Sequence, residues 1–268
     1  MIDRGRHDVL GVLVSAVDYD AVVERTIAAA REGRPFTVTA AASHVVMTGV
    51  HDDAHRHRLN RLDVVAPDGQ PVRWALNLLH RTGLAERVYG PTLMLRLCEA
   101  AAREGLPVFC YGANPPVLEP LRDRLLARFP ALRIAGLRAG RFRRLDPAER
   151  DALVAEIRGS GARLVFVGLG CPRQEIFLYE YRERLGVPLV AVGAAFDFHA
   201  GLVPQAPAAM QRRGLEWLFR LAHEPRRLWR RYLRLGPEYL ARVALQAAGL
   251  KRVSPESAPP PTEELRVG

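Results

Sequence analysis

The chain has 268 residues, about half of them apolar and a quarter charged, which suits one large globular domain or a domain with an appendage. The net charge is +10 with a single lysine, Lys251, and residues 206–252 hold eleven basic against three acidic side chains, eight of the ten excess charges. No apolar run approaches the roughly 20 residues of a membrane-spanning helix, "MIDRGRHDVLG" lacks a signal-peptide pattern, and three cysteines without CxxC spacing read as reduced thiols, so a cytoplasmic chain that does not cross a membrane is expected.

In chain order, "PFTVTAAA" reads as a strand, followed by a helical stretch near "HVVMTGVHDDAHRHRLNRL" and the strand "DVVAPDG". A helix over "PTLMLRLCEAAAREG" precedes the strand "PVFCYGA", and "PPVLEPLRDRLLARF" opens with Pro at a helix start and leads to the run "LRIAGLRAG". "DPAERDALVAEIRGSG" carries a helix start signal, with Asp146 as N-cap and Pro147 at the first position. Strand "RLVFVGLG", helix "PRQEIFLYEYRERLG" and strand "PLVAVGAAFD" follow. Short apolar strands alternating with helices predict an α/β fold: a Rossmann-like, mostly parallel sheet with helices on both faces, over residues 1–205. After Gly201 the pattern changes to a Pro-punctuated connector. A basic amphipathic helical appendage follows over 206–252, broken at Glu224-Pro225, then a Pro-rich tail over 253–268 that is expected to be disordered.

Ligands of parallel α/β sheets sit at the carboxyl ends of the strands. Those ends supply Thr39, Asp68-Gly69, Gly112, the run from Gly168 through Gly170 to Gln174, and Asp197. "VGLGCPRQE" is neither a dinucleotide fingerprint nor a P-loop, since Arg173 stands where a third glycine would and no Gly-Lys-Ser/Thr follows. Its glycines and helix start suit nucleotide or sugar contacts. Asp68, directly after a buried strand, is either a turn residue or a carboxylate suited to general-base work. "DYD" at Asp18–Asp20 has metal-pair spacing but reads as a helix start with Asp20 as N-cap. His51 and His55 in "HDDAHRH" lack the Glu of HExxH and read as solvated histidines. No metal and no cofactor are expected. In "GLEWLFRLAHEPRRLWRRYLRL", arginines at helical spacing beside Trp229 and Tyr232 suit an anionic membrane surface. The rival reading is a nucleotide- or nucleic-acid-binding protein that is not an enzyme, but no nucleic-acid motif appears, so no nucleic acid is expected.

"VVAPDGQPV", "ERVYGPTLM", "VGLGCPRQEIF", "VGAAFDFHAG" and "GLEWLFRLAHEPRRLWRRYL" together resemble the successive motifs of the WecG/TagA/CpsF glycosyltransferases, in order, from about Asp8 to Leu245. The resemblance implies an inverting, metal-independent transferase. It would move a sugar, often N-acetylmannosamine, from UDP to a polyprenyl-diphosphate-linked acceptor at the inner face of the cell membrane. It puts the catalytic carboxylate on Asp68, a site threonine on Thr39 and the motif glutamine on Gln174. Arg87 comes with the second motif, and Arg220, Arg227 and Arg230 are the appendage arginines on the diphosphate side. Arg226, Trp229, Arg231, Tyr232 and Arg234 are left for the lipid surface. The family's usual Thr-x-Asn is Thr39-Ala40-Ala41 here, so three readings stay open: Ser43 or His44 stands in for the missing amide, the sugar handled is a different one, or the chain is a degenerate member that binds without catalysing. Homo-oligomerisation is compatible with the sequence.

Overall fold

Six of the apolar runs become one sheet in the computed structural model, which describes residues 1–207, 209, 210, 213–250 and 253–268, the Arg227 side chain excepted. The chain opens with an antiparallel hairpin, β1 (Asp3–Val9) and β2 (Val12–Val17), turned at Leu10 and Gly11, both with positive φ. Two such residues make the turn that matches strand twist, but leucine is a poor signal for it, and composition predicts no hairpin here. Helix α1 (Tyr19–Glu32) follows, then β3 (Phe36–Ala41), α2 (Ser43–His51), α3 (Asp53–Asn60), β4 (Val64–Pro67) and α4 (Gln70–His80). Next come α5 (Gly90–Arg103), β5 (Val108–Gly112), α6 (Pro115–Arg128), β6 (Ile134–Arg138) and α7 (Pro147–Gly159). The series closes with β7 (Leu164–Gly168), α8 (Arg173–Leu185), β8 (Pro188–Ala191) and α9 (Ala195–Ala200). The predicted strand over "PLVAVGAAFD" is shorter than expected: it ends at Ala191, and Asp197 sits on α9.

Strand order is β4-β3-β8-β7-β5-β6, all parallel. Successive residues of one strand feed opposite cores. Val165 and Val167 join the face covered by the hairpin, α2, α4, α7 and α8, whereas Leu164 and Phe166 join the face covered by α1, α5, α6 and α9. A strand buried on both faces has no polar register to keep, which is why these runs are continuously apolar.

Capping follows local chemistry. Asp146 and Glu149 form a reciprocal capping box at α7, as the sequence predicts. At α1 the cap is Asp18 rather than Asp20: its Oδ1 accepts from the Ala21 amide at 2.9 Å. Its Oδ2 accepts from the Ile2 amide at 2.7 Å, while Asp20 pairs with Arg96 at 3.1 Å.

The appendage comprises α10 (Glu216–His223), α11 (Pro225–Trp229), a π-helical turn (Arg230–Leu235) and α12 (Gly236–Ala247). Leu228, Tyr239 and Val243 are its buried anchors, and Tyr239 donates its hydroxyl to the Pro71 carbonyl at 3.3 Å. The predicted disordered tail runs instead along the core. The Leu265 and Arg266 amides donate to the Glu180 carboxylate at 2.7 and 2.8 Å, and Val267 bridges to Arg144. These are backbone bonds to residues far away in sequence, so a composition rich in proline carries no trace of them.

Candidate active site

Two groups of strand ends face the same edge. At the first, β5 and β7 send their connections in opposite directions, to β6 and to β8, which opens a crevice between them. Gly112 and Gly168 pair in register there, and Gly112 has φ +117°. A Cβ on Gly112 would stand 2.6 Å from the Gly168 carbonyl carbon, and one on Gly168 would meet the Phe196 ring at 2.8 Å. Both positions exclude side chains by contact. Gly112→Ala is therefore expected to lower stability by about 1–3 kcal/mol or more, as overpacking does, read from the shift in the urea midpoint at unchanged slope; a shift within error would contradict the close approach.

The second group surrounds a cavity of about 420 Å3 at the end of β4. Asp68 is held there by two backbone bonds: its own amide donates to the Ala41 carbonyl at 3.1 Å, and the Val88 amide donates to the Pro67 carbonyl at 2.9 Å. Arg87 reaches in from the loop before α5, its guanidinium 4.5 Å above the Tyr89 ring. From the appendage, Glu216 grips Arg87 in an ion pair with side chains only 13% and 11% exposed, and Arg220 and Arg231 line the same cavity. The mouth is apolar. Trp74 of α4 is 49% exposed, Trp217 40%, Leu233 59% and Leu240 54%, and all four line it. A charged floor under an exposed apolar rim is the chemical profile of an amphiphile's binding place.

Burial dominates the Asp68 carboxyl and lifts it from 3.8 to about 6; Arg87 pulls down, Glu216 pushes up, and Arg231 and Arg220 pull down more weakly. That value leaves the group largely ionised at neutral pH yet basic enough to accept a proton, the compromise a general base needs. Arg87 is raised: burial works against its charge, but Asp68 and Glu216 outweigh it.

A family model described as the Glycosyl transferase WecG/TagA/CpsF family matches residues 7–253, nearly the whole chain. The chain belongs to this family. It is therefore a glycosyltransferase, of a family that works in cell-surface polysaccharide synthesis. Among its described residues no helix is long and apolar enough to cross a membrane.

The glycosyltransferase brings together only part of the predicted site. Asp68, Arg87 and Arg220 share the cavity, and Gly168 and Gly112 share the neighbouring crevice, three and four strand spacings away, or about 14–19 Å along the sheet edge. Gly170, with φ +73°, leads into α8, where the Gln174 amide donates to its carbonyl at 2.9 Å. Thr39 does not line the cavity: it is fully buried and donates its Oγ1 to Glu175 Oε1 at 2.9 Å. Gln174 is likewise buried and donates to the same oxygen at 2.8 Å. Both side chains support a carboxylate under the edge instead of facing the space above it. Ser43 does line the cavity beside Ala42, and His44 is kept neutral, well below its ordinary value, by burial and then by Arg231 and Arg220.

Among the arginines the expected assignments change. Arg231 and Tyr232, expected at a lipid surface, line the cavity, whereas Arg230, expected at the diphosphate, lies exposed against the Trp229 ring at 5.3 Å. The cause is the register set by Leu228: it is 1% exposed, and positions three and four residues on share its inward face. Arg226, Trp229 and Arg234 are exposed, and the Arg227 side chain lies outside the described residues. Two further corrections follow from burial. His55 is not solvated but 1% exposed, while His51 is exposed and 3.3 Å from Glu238. Glu216, to which the sequence gives no role, lines the cavity and pairs with Arg87. Its only signal was its place in the quoted EW motif.

Proposed function

We propose that this glycosyltransferase moves a sugar from a UDP-sugar to a sugar carried on a polyprenyl diphosphate, with inversion and without a metal in the reaction. The donated sugar is N-acetylmannosamine or another hexose. The carrying observation is the cavity at Asp68: one carboxylate with a raised proton affinity, guanidinium groups around it, and an exposed apolar rim. Asp68 takes the proton of the acceptor hydroxyl as its oxygen bonds to the anomeric carbon, and the bond from that carbon to UDP breaks with its electron pair going to the diphosphate. Arg220 and Arg231 offset the developing charge, since guanidinium forks match diphosphate oxygens. The glycine crevice between β5 and β7 suits the nucleotide, with backbone close enough to contact phosphates or sugar. The "DYD" carboxylates, which would be the alternative metal holders, are engaged with backbone amides and with Arg96.

The exposed Arg226, Trp229, Arg230 and Arg234, with Leu233 and Leu240 beside the cavity mouth, suit the anionic surface of the inner membrane leaflet. The deciding experiment measures UDP release from a panel of UDP-sugars, with and without a lipid-diphosphate–GlcNAc analogue. Acceptor-dependent release from one sugar, with no requirement for added Mg2+ or Mn2+, is the expected result; no acceptor-dependent release from any sugar overturns the transferase reading. Flotation with anionic liposomes is expected to carry the protein upward, and a gel shift with arbitrary DNA in its place would favour a nucleic-acid partner.

A further inference from the structure

Beneath the strand-end loops, three side chains from separate segments converge: His55 of α3, Cys171 of the loop between β7 and α8, and Glu175 in the first turn of α8. One ligand atom from each, a ring nitrogen, Sγ and a carboxylate oxygen, lies within 4.8 Å of the other two. Bond lengths of about 2.0–2.3 Å to a tetrahedral ion imply ligand separations of about 3.3–3.8 Å, so small side-chain rotations close the set. None of the three lines the Asp68 cavity.

The group is incomplete as it stands. His55 is 1% exposed, yet neither Nδ1 nor Nε2 has a hydrogen-bond partner. Glu175 is fully buried; its Oε1 accepts from Thr39 and Gln174, but Oε2 has no partner. A buried imidazole with neither nitrogen partnered, beside a carboxylate with one oxygen still open, is costly unless something joins them. A proton shared directly between them would require an imidazole–carboxylate hydrogen bond, and both ring nitrogens are without one. The Cys171 thiol contacts Thr48 Oγ1 at 3.7 Å and also hydrogen-bonds to the Glu175 carboxylate, which places sulfur and carboxylate side by side.

We propose that His55, Cys171 and Glu175 form a buried site for one borderline-soft divalent cation of the Zn2+ class, distinct from the Asp68 cavity. The charges match: a thiolate, a carboxylate and a neutral imidazole around a 2+ ion sum to zero, the arrangement that burial tolerates best. The thiol proton leaves to solvent as sulfur bonds the metal. Nitrogen, sulfur and oxygen ligands together suit Zn2+ over Mg2+ or Ca2+, which want oxygen alone. Thr39 and Gln174 already hold Glu175 in place, the outer support that such ligands usually have. Asp52 and Arg58, the other charged groups around His55, oppose one another in sign. The ion would tie α3 to the loop that carries Gly170 and to the first turn of α8.

The test uses the full chain, reduced and chelator-washed, titrated with Zn2+ by calorimetry and with Co2+ by absorbance. Saturation at one equivalent and a near-ultraviolet thiolate-to-Co2+ band are expected. Cys171→Ser should abolish the band, Cys171→Ser and His55→Ala should each weaken binding at least about 10-fold, and Thr39→Val, which removes only a support, by about 10–100-fold. His51→Ala, on an exposed imidazole four residues earlier, should change nothing. If His55→Ala fails to fold, the near-isosteric Cys171→Ser decides alone. No saturable binding, no thiolate band, or binding undiminished by Cys171→Ser overturns the site.

Discussion

Asp68→Asn is expected to lower kcat by about 10²–10⁴-fold, the contribution of a positioned general base, while UDP affinity stays nearly unchanged. The amide keeps the shape and loses only the capacity to accept a proton. In the unaltered enzyme kcat/KM should fall with unit slope as pH drops below about 6, because the carboxylate that must accept the proton is then already protonated. The stability effect has the opposite sign to the activity effect. The folded-state value of about 6 lies above the ordinary 3.8, so the folded chain holds more protons than the unfolded chain between those limits. Stability from this group is therefore fully present below about pH 4 and is lost as pH rises through about 6. Asp68→Asn removes a buried charge at neutral pH and should raise the melting temperature at pH 7.5, with the gain shrinking in acid. Undiminished turnover would remove Asp68 from the chemistry; a melting point lowered at pH 7.5 would contradict its burial.

The second large effect concerns the pair Arg87–Glu216, which joins the sheet edge to the appendage. Breaking a buried ion pair from one side costs up to about 3–5 kcal/mol, and less for Glu216→Ala, because Arg87 keeps Asp68 as a counter-charge. Glu216→Ala should accordingly loosen the appendage, giving faster tryptic cleavage among the arginines of 220–234 and a steep loss of kcat/KM. An apolar pair at both positions, Arg87→Met with Glu216→Leu, removes both charges together and should restore much of the docking without restoring activity. Because Arg87 lowers the Asp68 value and Glu216 raises it, the single variants also move the acid limb in opposite directions: up for Arg87→Met, down for Glu216→Gln. An acid limb that stays put in both variants would mean that neither charge acts on Asp68.

Much of the fold was legible because a parallel sheet writes itself plainly: strands buried on both faces are short unbroken apolar runs, and each must be followed by a helix to return the chain. The first hairpin was not legible, since its turn is Leu10-Gly11 rather than Asn-Gly, and its first strand carries charged residues on an exposed first half. Helix α4 carries a weak signal because "QPVRWALNLLH" buries only Val72, Ala75 and Leu76, leaving Leu78 exposed and Trp74 exposed at the cavity. Asp68 stood out from its position after a buried strand, but Glu216 did not, because a glutamate on a basic helix reads as an ordinary surface charge until its partner is known.

The sequence by itself determined the α/β class, most of the strand and helix order, the capping box at Asp146 and the family, all of which rest on residues close together in the chain or on motifs in fixed order. Only the tertiary structure decided which groups meet: Arg231 inward and Arg230 outward, Thr39 beneath the edge on Glu175, His55 buried, and the tail pinned to Glu180. Periodicity states that some face of a helix is buried. Which face it is depends on what a distant segment presents to it, and that information lies outside any window along the chain.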